Sequence, residues 1–358
     1  MTGMTENGPI ERTPMSDPAQ VVIIARHELM KYIRGRRLYG VLLIVIVLAL
    51  LLYGFVLPGS YGGPFAGSRE EFLHVEPYSY EGYPGYQSIG FLGGSSVVPG
   101  TIKITVNGSE LPRSEWLYIG NGSVVLFKED LSAPARVVQA LYDFAISPDQ
   151  LAGSFLDFLP VIVVICVTVA GADSLIGELQ AKTAYLLFPN PVRREIIFLG
   201  KLLGSGVVGL VTIGSFYVAI AAFSYVALGS VATYLSLSFG FAVLFLLACL
   251  AFALAVSSVS RGTTGAVILT FLLLLAILPM LEEAGTAAGV KMWYLPTFAG
   301  DSALYALQLD YYPKDASGPG TASIFYPDLG LSAVVLTSYF LLLTAIGMIV
   351  FRRRDLSF

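Results

Sequence analysis

Long apolar runs separated by polar segments dominate the hydrophobic pattern of this 358-residue chain. Six of them approach or exceed the roughly 20 residues that a helix needs to cross a bilayer. They are residues 38–58, 151–172, 202–229, 235–257, 264–281 and 331–351. A transmembrane β-barrel would instead show short segments of alternating hydrophobicity. The pattern therefore predicts six transmembrane helices.

The first run could alternatively be the apolar core of a secretory signal peptide. Its 21 residues exceed the roughly 7–15 residues of such a core, and no small-x-small cleavage site follows Pro58. We interpret residues 38–58 as an uncleaved signal anchor.

Composition narrows the class of protein. Charged residues make up 13% of the chain, against about 25% in a soluble domain. Residues 202–260 contain no Asp, Glu, Lys, Arg or His. This excludes a soluble enzyme and a disordered chain, and a net charge of −4 without a dominant basic patch excludes a nucleic-acid-binding protein. Cys166 and Cys249 lie in apolar runs, so no disulfide framework is predicted.

The distribution of Lys and Arg predicts the orientation. Six spans place 14 of the 21 positive residues on the side of the N-terminus and 7 on the opposite side. Cytoplasmic loops carry the excess of Lys and Arg. We therefore expect a multi-pass protein of the cell membrane with both termini in the cytoplasm, where residues 352–358 form the C-terminal tail.

The N-terminal segment precedes the first run. Residues 1–18 are polar and are predicted to be a disordered cytoplasmic tail, whereas residues 19–37 have helical periodicity. The predicted apolar face consists of Val22, Ala25, Leu29, Tyr32 and Ile33, with His27, Lys31 and Arg34 facing away. An amphipathic basic helix of this kind lies in the membrane interface, so we predict an elbow helix. The sequence from His27 to Lys31 begins like the zinc motif HExxH but lacks its second His, which excludes that site.

The first outer segment, 59–150, is long enough for a small extracellular domain. Residues 101–106, 116–119 and 124–127 read as strands. Asn-Gly turns are predicted at Asn107 and Asn121, and a helix is predicted near residues 133–145. Asn107 and Asn121 also match the N-glycosylation sequon, so each residue is interpreted as a turn residue or as a glycosylation site.

Two further features lie on or near the predicted outer side. Residues 282–330 are rich in Trp, Tyr and Phe, which favours short helices at the interface. Asp157 is the ionisable residue clearly within a predicted span, and it lies near the outer end of its helix. A structural role and a proton or ion relay are both open for Asp157.

The predicted cytoplasmic loop, 173–201, joins the second and third spans. A short helix with an apolar face is expected there, ended by Pro189 and Pro191. Its apolar residues are Leu179, Tyr185, Leu186 and Phe188. An exposed apolar face usually marks an interface with a partner.

This loop resembles that of the ABC-2 type exporter permeases. In that family the loop contains an acidic residue, Gly-Thr, a Leu-Leu pair, Pro-Val with a nearby Arg, and a Gly-Lys that opens the third span. The matching residues here are Glu178, Thr183, Leu186-Leu187, Pro191-Val192, Arg193 and Gly200-Lys201. Lys182 stands where the family usually has Gly. Tyr294-Leu295-Pro296 resembles the Pro-containing motif before the sixth span.

The resemblance implies an all-α polytopic membrane protein with an elbow helix and six transmembrane helices. The inserted β-containing domain between helices 1 and 2 departs from the compact members. It also implies a permease subunit of an ATP-driven exporter, paired with an identical or homologous permease and with a separately encoded ATPase that binds the ATP. The chain itself would need no cofactor and catalyse no reaction. The implied coupling interface is Glu178, Lys182, Thr183, Leu186, Leu187, Phe188, Pro191 and Arg193.

Two other classes of protein remain as alternatives. One is a membrane-anchored extracellular binding or sensor protein, for which six spans are excessive. The other is an integral-membrane enzyme, which is disfavoured because the sequence shows no intramembrane carboxylate pair, His cluster or Ser-His arrangement. The transported substrate is left open.

Overall fold

The fold is mostly helical, with a small β domain between its second and third helices. A computed structural model describes residues 17–56, 66–77, 85–93, 97–119, 124–132, 136–172, 174–175, 193–260, 262–307 and 325–353. The helices are α1 Asp17–Arg34, α2 Arg37–Leu51, α3 Pro148–Leu156, α4 Leu159–Val167, α5 Arg194–Leu228, α6 Leu235–Val259, α7 Thr263–Leu272, α8 Leu278–Ala287, α9 Pro296–Gly300, α10 Ser302–Tyr305 and α11 Leu329–Arg353. Single π-helical turns follow α2 and α4 and join α7 to α8, at Leu52–Val56, Thr168–Ala172 and Leu273–Ile277.

Helix covers most of each apolar run predicted from the sequence. Four helices are long and apolar enough to cross a membrane, namely Arg194–Leu228, Leu235–Val259, Thr263–Ala287 and Leu329–Arg353. Two bent pairs raise the number to as many as six: α1 with α2, bent by 62°, and α3 with α4, bent by 40°. The described part of the chain therefore contains four to six candidate membrane-spanning helices.

Helix α5 is longer than the apolar run that predicts it. It has 35 residues and begins at Arg194, eight residues before the predicted start of the third span. Its length is about 52 Å at 1.5 Å per residue, so it exceeds the roughly 30 Å of a hydrocarbon core. The extra turns carry Lys201, whose side chain is almost completely buried.

Helix α6 lies at the centre of the bundle and contacts α4, α5, α7, α9, α10 and α11. Its residues Leu246, Ala251 and Leu254 are fully buried. Gly209 on α5 permits close approach, because a Cβ atom there would lie 2.8 Å from Leu246. An apolar helix without a polar face is expected at such a position.

The short helices α9 and α10 also pack into this core. Ala299, Ala303 and Leu307 are almost completely buried within it. A Cβ atom on Gly300 would lie 2.6 Å from the ring of Phe245. The short helices predicted from the aromatic segment are present, but they lie against α6 and α11 within the bundle.

The β domain consists of two antiparallel four-stranded sheets. One has the strand order β1 (Ala66–Leu73), β8 (Val138–Ala145), β4 (Lys103–Val106) and β5 (Ser109–Glu110). The other has the order β2 (Val75–Pro77), β3 (Ser88–Phe91), β7 (Val124–Phe127) and β6 (Trp116–Ile119). Ile104 and Tyr142 from the first sheet share one hydrophobic core with Trp116 and Phe127 from the second.

Both predicted hairpins are present. In the first, Val106 pairs with Ser109 across a turn in which Asn107 and Gly108 have φ values of 52° and 83°. Two positive φ angles are what an Asn-Gly type I′ turn requires. In the second hairpin, Ile119 pairs with Val124, and the predicted turn residue Asn121 lies outside the described residues.

The helix predicted near residues 133–145 is wrong. Residues 138–145 form strand β8, which pairs with both β1 and β4. Val138, Ala140 and Tyr142 are buried and alternate with more exposed residues. This period of two belongs to a strand, and pairing on both edges outweighs the helical propensity of the Ala and Leu residues in the segment.

The β domain joins the helical bundle with almost no linker. Only Ile146 and Ser147 separate β8 from α3. Ile146 is buried in the bundle core, and Ser147 forms a reciprocal capping box with Gln150 at the start of α3. The chain therefore enters the helix through a short connection that ends in a helix cap.

Candidate functional site

Most of the predicted coupling loop lies outside the described residues. This applies to Glu178, Lys182, Thr183, Leu186, Leu187, Phe188 and Pro191, and to the predicted short helix that carries them. Arg193 is described, and its Nη1 atom lies 3.5 Å from Oδ2 of Asp17 at the start of α1. Both side chains are exposed, so the pair contributes at most about 1 kcal/mol.

Residues at the two ends of the loop 173–201 meet α1 in one buried cluster. We define the junction as Glu28 and Tyr32 of α1, Ser174 at the start of the loop, Lys201 at its end in α5, and Ser205 of α5. All five residues are at most 2% exposed. The junction therefore joins α1 to both ends of the loop.

Close packing of α1 on α5 depends on two glycines. A Cβ atom on Gly200 would lie 2.6 Å from Cβ of Ile24. One on Gly204 would lie 2.8 Å from Cβ of Glu28 and 3.0 Å from the carbonyl oxygen of Ala25. The spacing Gly-x-x-x-Gly places both glycines on one face of α5, which lets the backbones approach.

A buried ion pair lies at the centre of the junction. The Lys201 Nζ atom lies 3.3 Å from Oε2 of Glu28 and donates to the Ser174 carbonyl oxygen at 2.6 Å. The Ser174 hydroxyl donates to Oε1 of Glu28 at 3.1 Å. Lys31 lies 3.7 Å from the same carboxylate. These partners satisfy the buried charges, as a buried ion pair requires.

The ion pair keeps Glu28 ionised despite its burial. Burial raises the pKa of Glu28. The charges of Lys201 and Lys31 and the hydrogen bond from Ser174 lower it by more than burial raises it. The pKa of Glu28 therefore lies below its ordinary value. Electrostatic pairing outweighs the desolvation of the carboxylate at this position.

The π-helical turn Thr168–Ala172 ends at the junction. The carbonyl oxygen of Ala170 accepts hydrogen bonds from the Tyr32 hydroxyl at 2.6 Å and from the Ser205 hydroxyl at 2.8 Å. The Ala172 carbonyl accepts one from Ser257 of α6 at 2.9 Å. Side chains of three other helices, α1, α5 and α6, thus donate hydrogen bonds to the backbone of this turn.

Sequence reasoning missed most of the junction. The sequence pattern includes Glu28 in the excluded zinc motif and Lys201 in the family loop, and neither pattern pairs the two residues. Within the predicted apolar face of α1, Tyr32 is buried whereas Val22 is 63% exposed, and the prediction did not include the buried Glu28. The unused signal is the Gly-x-x-x-Gly spacing, whereas the position of Glu28 opposite Lys201 is a tertiary feature.

A second polar group lies at the opposite end of the bundle from the junction. Glu282 and Asp301 line a cavity of about 440 Å³ with the apolar side chains of Phe245 and Leu274. Asp157, at the break between α3 and α4, lines a smaller adjoining cavity with Asp301. The sequence did not predict this carboxylate pair, because Asp301 lies 19 positions after Glu282 and no local spacing brings the two together. Among the described residues, no group of His, Cys, Asp and Glu is arranged to hold a metal ion.

Asp301 is the most perturbed group outside the candidate spans. Burial raises its pKa to about 8, and the charges of Glu282 and Asp157 and a hydrogen bond to Glu282 act in the same direction. Protonated Asp301 can donate to the Glu282 carboxylate, which explains how two carboxyl groups are accommodated together.

A pH dependence of stability follows from this pKa. Between its ordinary value of 3.8 and about 8, the folded protein binds a proton that the unfolded chain releases, so the free energy of unfolding falls as the pH rises. In detergent, we expect the wild-type unfolding temperature to decrease between about pH 6 and about pH 9, and Asp301→Asn to remove much of the decrease. Glu110→Gln, at an exposed carboxyl in β5, is the control. An equal decrease in both variants would contradict the assignment.

Asn107 has a clear structural role in the β domain. Its Oδ1 atom accepts a hydrogen bond from the Val137 amide at 2.9 Å, and the residue is exposed in the β4–β5 turn. The turn interpretation of Asn107 is confirmed by this geometry, and glycosylation of Asn107 or Asn121 stays a prediction.

Comparison with known families identifies the family of this chain. The sequence model of the ABC-2 family transporter protein matches residues 22–356. No curated protein matches the chain. The family match extends from α1 to the end of α11 and includes the junction and the loop that it flanks. The chain therefore belongs to the ABC-2 transporter family, as a multi-pass membrane component of a transporter.

Proposed function

We propose that the chain is the permease subunit of an ATP-driven exporter and that the loop 173–201 docks on a separate ATPase subunit. The family supports the permease assignment. The observation that carries the coupling proposal is the buried contact of Ser174 and Lys201 with Glu28. Because Ser174 and Lys201 lie at the two ends of the loop, a force applied to the loop acts directly on α1, α5 and the end of the second span.

The proposed membrane topology has six spans and cytoplasmic termini. Helix α1 is the elbow helix, and α2, α3 with α4, α5, α6, α7 with α8, and α11 are the spans. In this arrangement the junction lies at the cytoplasmic face, and the β domain and the Glu282–Asp301 pair lie at the outer face. The exposed apolar side chains of Val22 and Ile23 on α1, which are 63% and 54% exposed, then face lipid.

The proposed transport cycle uses a pair of permeases and a pair of ATPases. ATP binding brings the ATPases together and displaces the loop, and the junction transmits this displacement to the spans. The β domain is joined to α3 through Ile146 and Ser147, so it moves with the second span. Its proposed role is in release of the substrate or in contact with an outer partner.

Cysteine labelling tests the topology. We expect cysteines introduced at Ser109 or Ser317 to react with an impermeant thiol reagent applied to sealed cells, and cysteines at Ala181 or Ser357 to react only after permeabilisation. Native Cys166 and Cys249 are 1% and 2% exposed, so the wild-type chain is the low-background control. Labelling at position 181 in sealed cells would contradict the orientation.

Reconstitution tests the function. If a neighbouring open reading frame encodes an ABC ATPase, the chain and that ATPase should co-purify and hydrolyse ATP in lipid vesicles. The chain alone should show no hydrolysis, because its sequence has no phosphate-binding loop: Gly200-Lys201-Leu202 lacks both the upstream Gly and the following Ser or Thr. Failure to form a complex would favour the membrane-anchored binding or sensor protein.

A further inference from the structure

The π-helical turn Thr168–Ala172 follows α4 and comes just before the helical residues Ser174 and Leu175 at the start of the loop. A π turn accommodates one residue more than the α-helix that surrounds it, and such turns are rare and often lie at functional sites. Here the turn is buried, and residues of α1, α5 and α6 surround it. Its conformation is therefore set by tertiary contacts.

The Ala170 carbonyl has an unusual hydrogen-bond arrangement. A carbonyl oxygen has two lone pairs, and here two hydroxyl groups donate to them. Tyr32 donates from α1 and Ser205 donates from α5, at 2.6 and 2.8 Å. The same oxygen atom therefore links α1, α5 and the end of the second span.

Besides its hydrogen bonds with α1 and α5, the turn packs closely against α6. A Cβ atom on Gly171 would lie 2.9 Å from Leu250 and 3.1 Å from Ala253. The Ser257 hydroxyl donates to the next carbonyl but one, that of Ala172. These contacts hold the turn itself against α6, so a change of its register displaces the residues that follow it.

We propose that Tyr32 and Ser205 are positioning residues that hold the end of the second span in its π register, and that release of the Ala170 carbonyl returns the turn to the α register. Loss of the extra residue rotates the following residues by about 100° about the helix axis, because each residue of an α-helix turns by that angle. The rotation moves the Ser174 carbonyl away from Lys201. The π turn and the buried ion pair would thus change together. The role of this change in coupling rests on the proposed function.

Hydrogen exchange tests the shared carbonyl in the purified chain alone. We expect Tyr32→Phe and Ser205→Ala each to raise the exchange rate of the Ser174 and Leu175 amides by about threefold or less, because one hydroxyl still donates to Ala170. The double variant should raise it by about tenfold or more beyond the product of the single effects. Tyr39→Phe with Ser215→Ala is the matched control, since Tyr39 is 57% exposed and Ser215 donates within its own helix.

Multiplicative single effects, or an equal effect in the control, would overturn the proposal. If the double variant does not fold, Tyr32→Phe with Ser257→Ala replaces it. This pair removes donors to two different carbonyls, so its single effects should multiply. A cooperative effect in this pair that exceeds either single effect by about tenfold would also overturn the assignment to Ala170.

The coupling role is tested in the complex with the ATPase. Wild-type exchange at Ser174 and Leu175 should change between the nucleotide-free and ATP-bound complexes, whereas the Tyr32→Phe/Ser205→Ala complex should show the same fast exchange in both. A wild-type chain that binds no ATPase contradicts the proposed function, and the result for the chain alone still stands. An ATPase that binds both proteins, with equal nucleotide-dependent changes in each, contradicts only the proposed role of the π turn.

Discussion

A Lys201→Met variant is expected to lose about 3 kcal/mol of unfolding free energy, because it removes the buried counter-ion of Glu28 and leaves only the partly exposed Lys31 at 3.7 Å. Lys201 is 2% exposed and Glu28 is 1% exposed, so neither charge can be screened by water. The Ser174 carbonyl would also lose its 2.6 Å donor. Reversible unfolding in mixed detergent and SDS micelles measures the difference.

The matched variant separates charge pairing from other effects of the substitution. Glu28→Gln with Lys201→Met removes both charges and should recover most of the lost stability, since a buried ion pair replaced by neutral groups often costs little. Arg352→Ala is the surface control. It breaks an exposed 3.2 Å pair with Glu195 and should cost about 1 kcal/mol or less. A double variant no more stable than Lys201→Met would show that the pairing is not what stabilises the junction.

The Lys201→Met variant should also lose coupling if the proposed function is correct. Without the ion pair, the two ends of the loop are no longer fixed to α1. We therefore expect basal hydrolysis by the associated ATPase and uncoupling from transport, and the Glu28→Gln/Lys201→Met variant should not recover transport although it recovers stability. Recovery of both would assign the junction a purely structural role.

Leu187→Asp is expected to abolish assembly with the ATPase. The prediction places Leu187 in the docking interface, where an aspartate would bury an unpaired charge at a cost of several kcal/mol. Each 1.4 kcal/mol weakens the complex tenfold, so a loss of about 4 kcal/mol turns a micromolar complex into a millimolar one. Co-purification of the two subunits from membranes measures this.

The control for Leu187→Asp is Ala181→Asp, which places the same charge in the same loop outside the predicted docking set. It should retain the ATPase. A Leu187→Asp chain that co-purifies at the wild-type yield and supports hydrolysis would contradict docking through this residue. Insertion of both variants is checked by their equal abundance in the membrane.

Family membership and the two polar groups suggest how the structure divides its tasks. The junction connects the loop to three helices through buried polar contacts, whereas the Glu282–Asp301 pair lines a cavity beside α6. Strand β8 leads into α3, and α4 leads into the π turn at the junction. Among the described residues, the bent pair of α3 and α4 therefore connects the β domain with the loop.

The helical part of the fold was largely readable from the chain. A run of roughly 20 apolar residues must satisfy its backbone hydrogen bonds internally in lipid, so length and composition are sufficient to predict a helix. The turn at Asn107 and Gly108 was likewise local, because the positive φ angles there depend on those two residues. Local reasoning gave the wrong prediction for residues 138–145, because strand β8 is stabilised by pairing with β1 and β4.

The candidate site was only partly readable. The sequence identified the loop through its resemblance to the ABC-2 permeases and identified Gly200-Lys201 as part of that pattern. It did not identify Glu28, which lies 173 residues from Lys201. Nor did it identify Tyr32 as a donor to Ala170, 138 residues away.

The sequence by itself determined the class of protein, the apolar runs and the family, because each depends on composition or on short spacings along the chain. The tertiary structure alone decided that α1 presents Glu28 to Lys201, that the Ala170 carbonyl receives two hydroxyl groups, and that Glu282 meets Asp301. The physical reason is that a buried polar group is tolerated only beside its partner, and the partner is selected by the packing of distant helices. No local pattern records that choice.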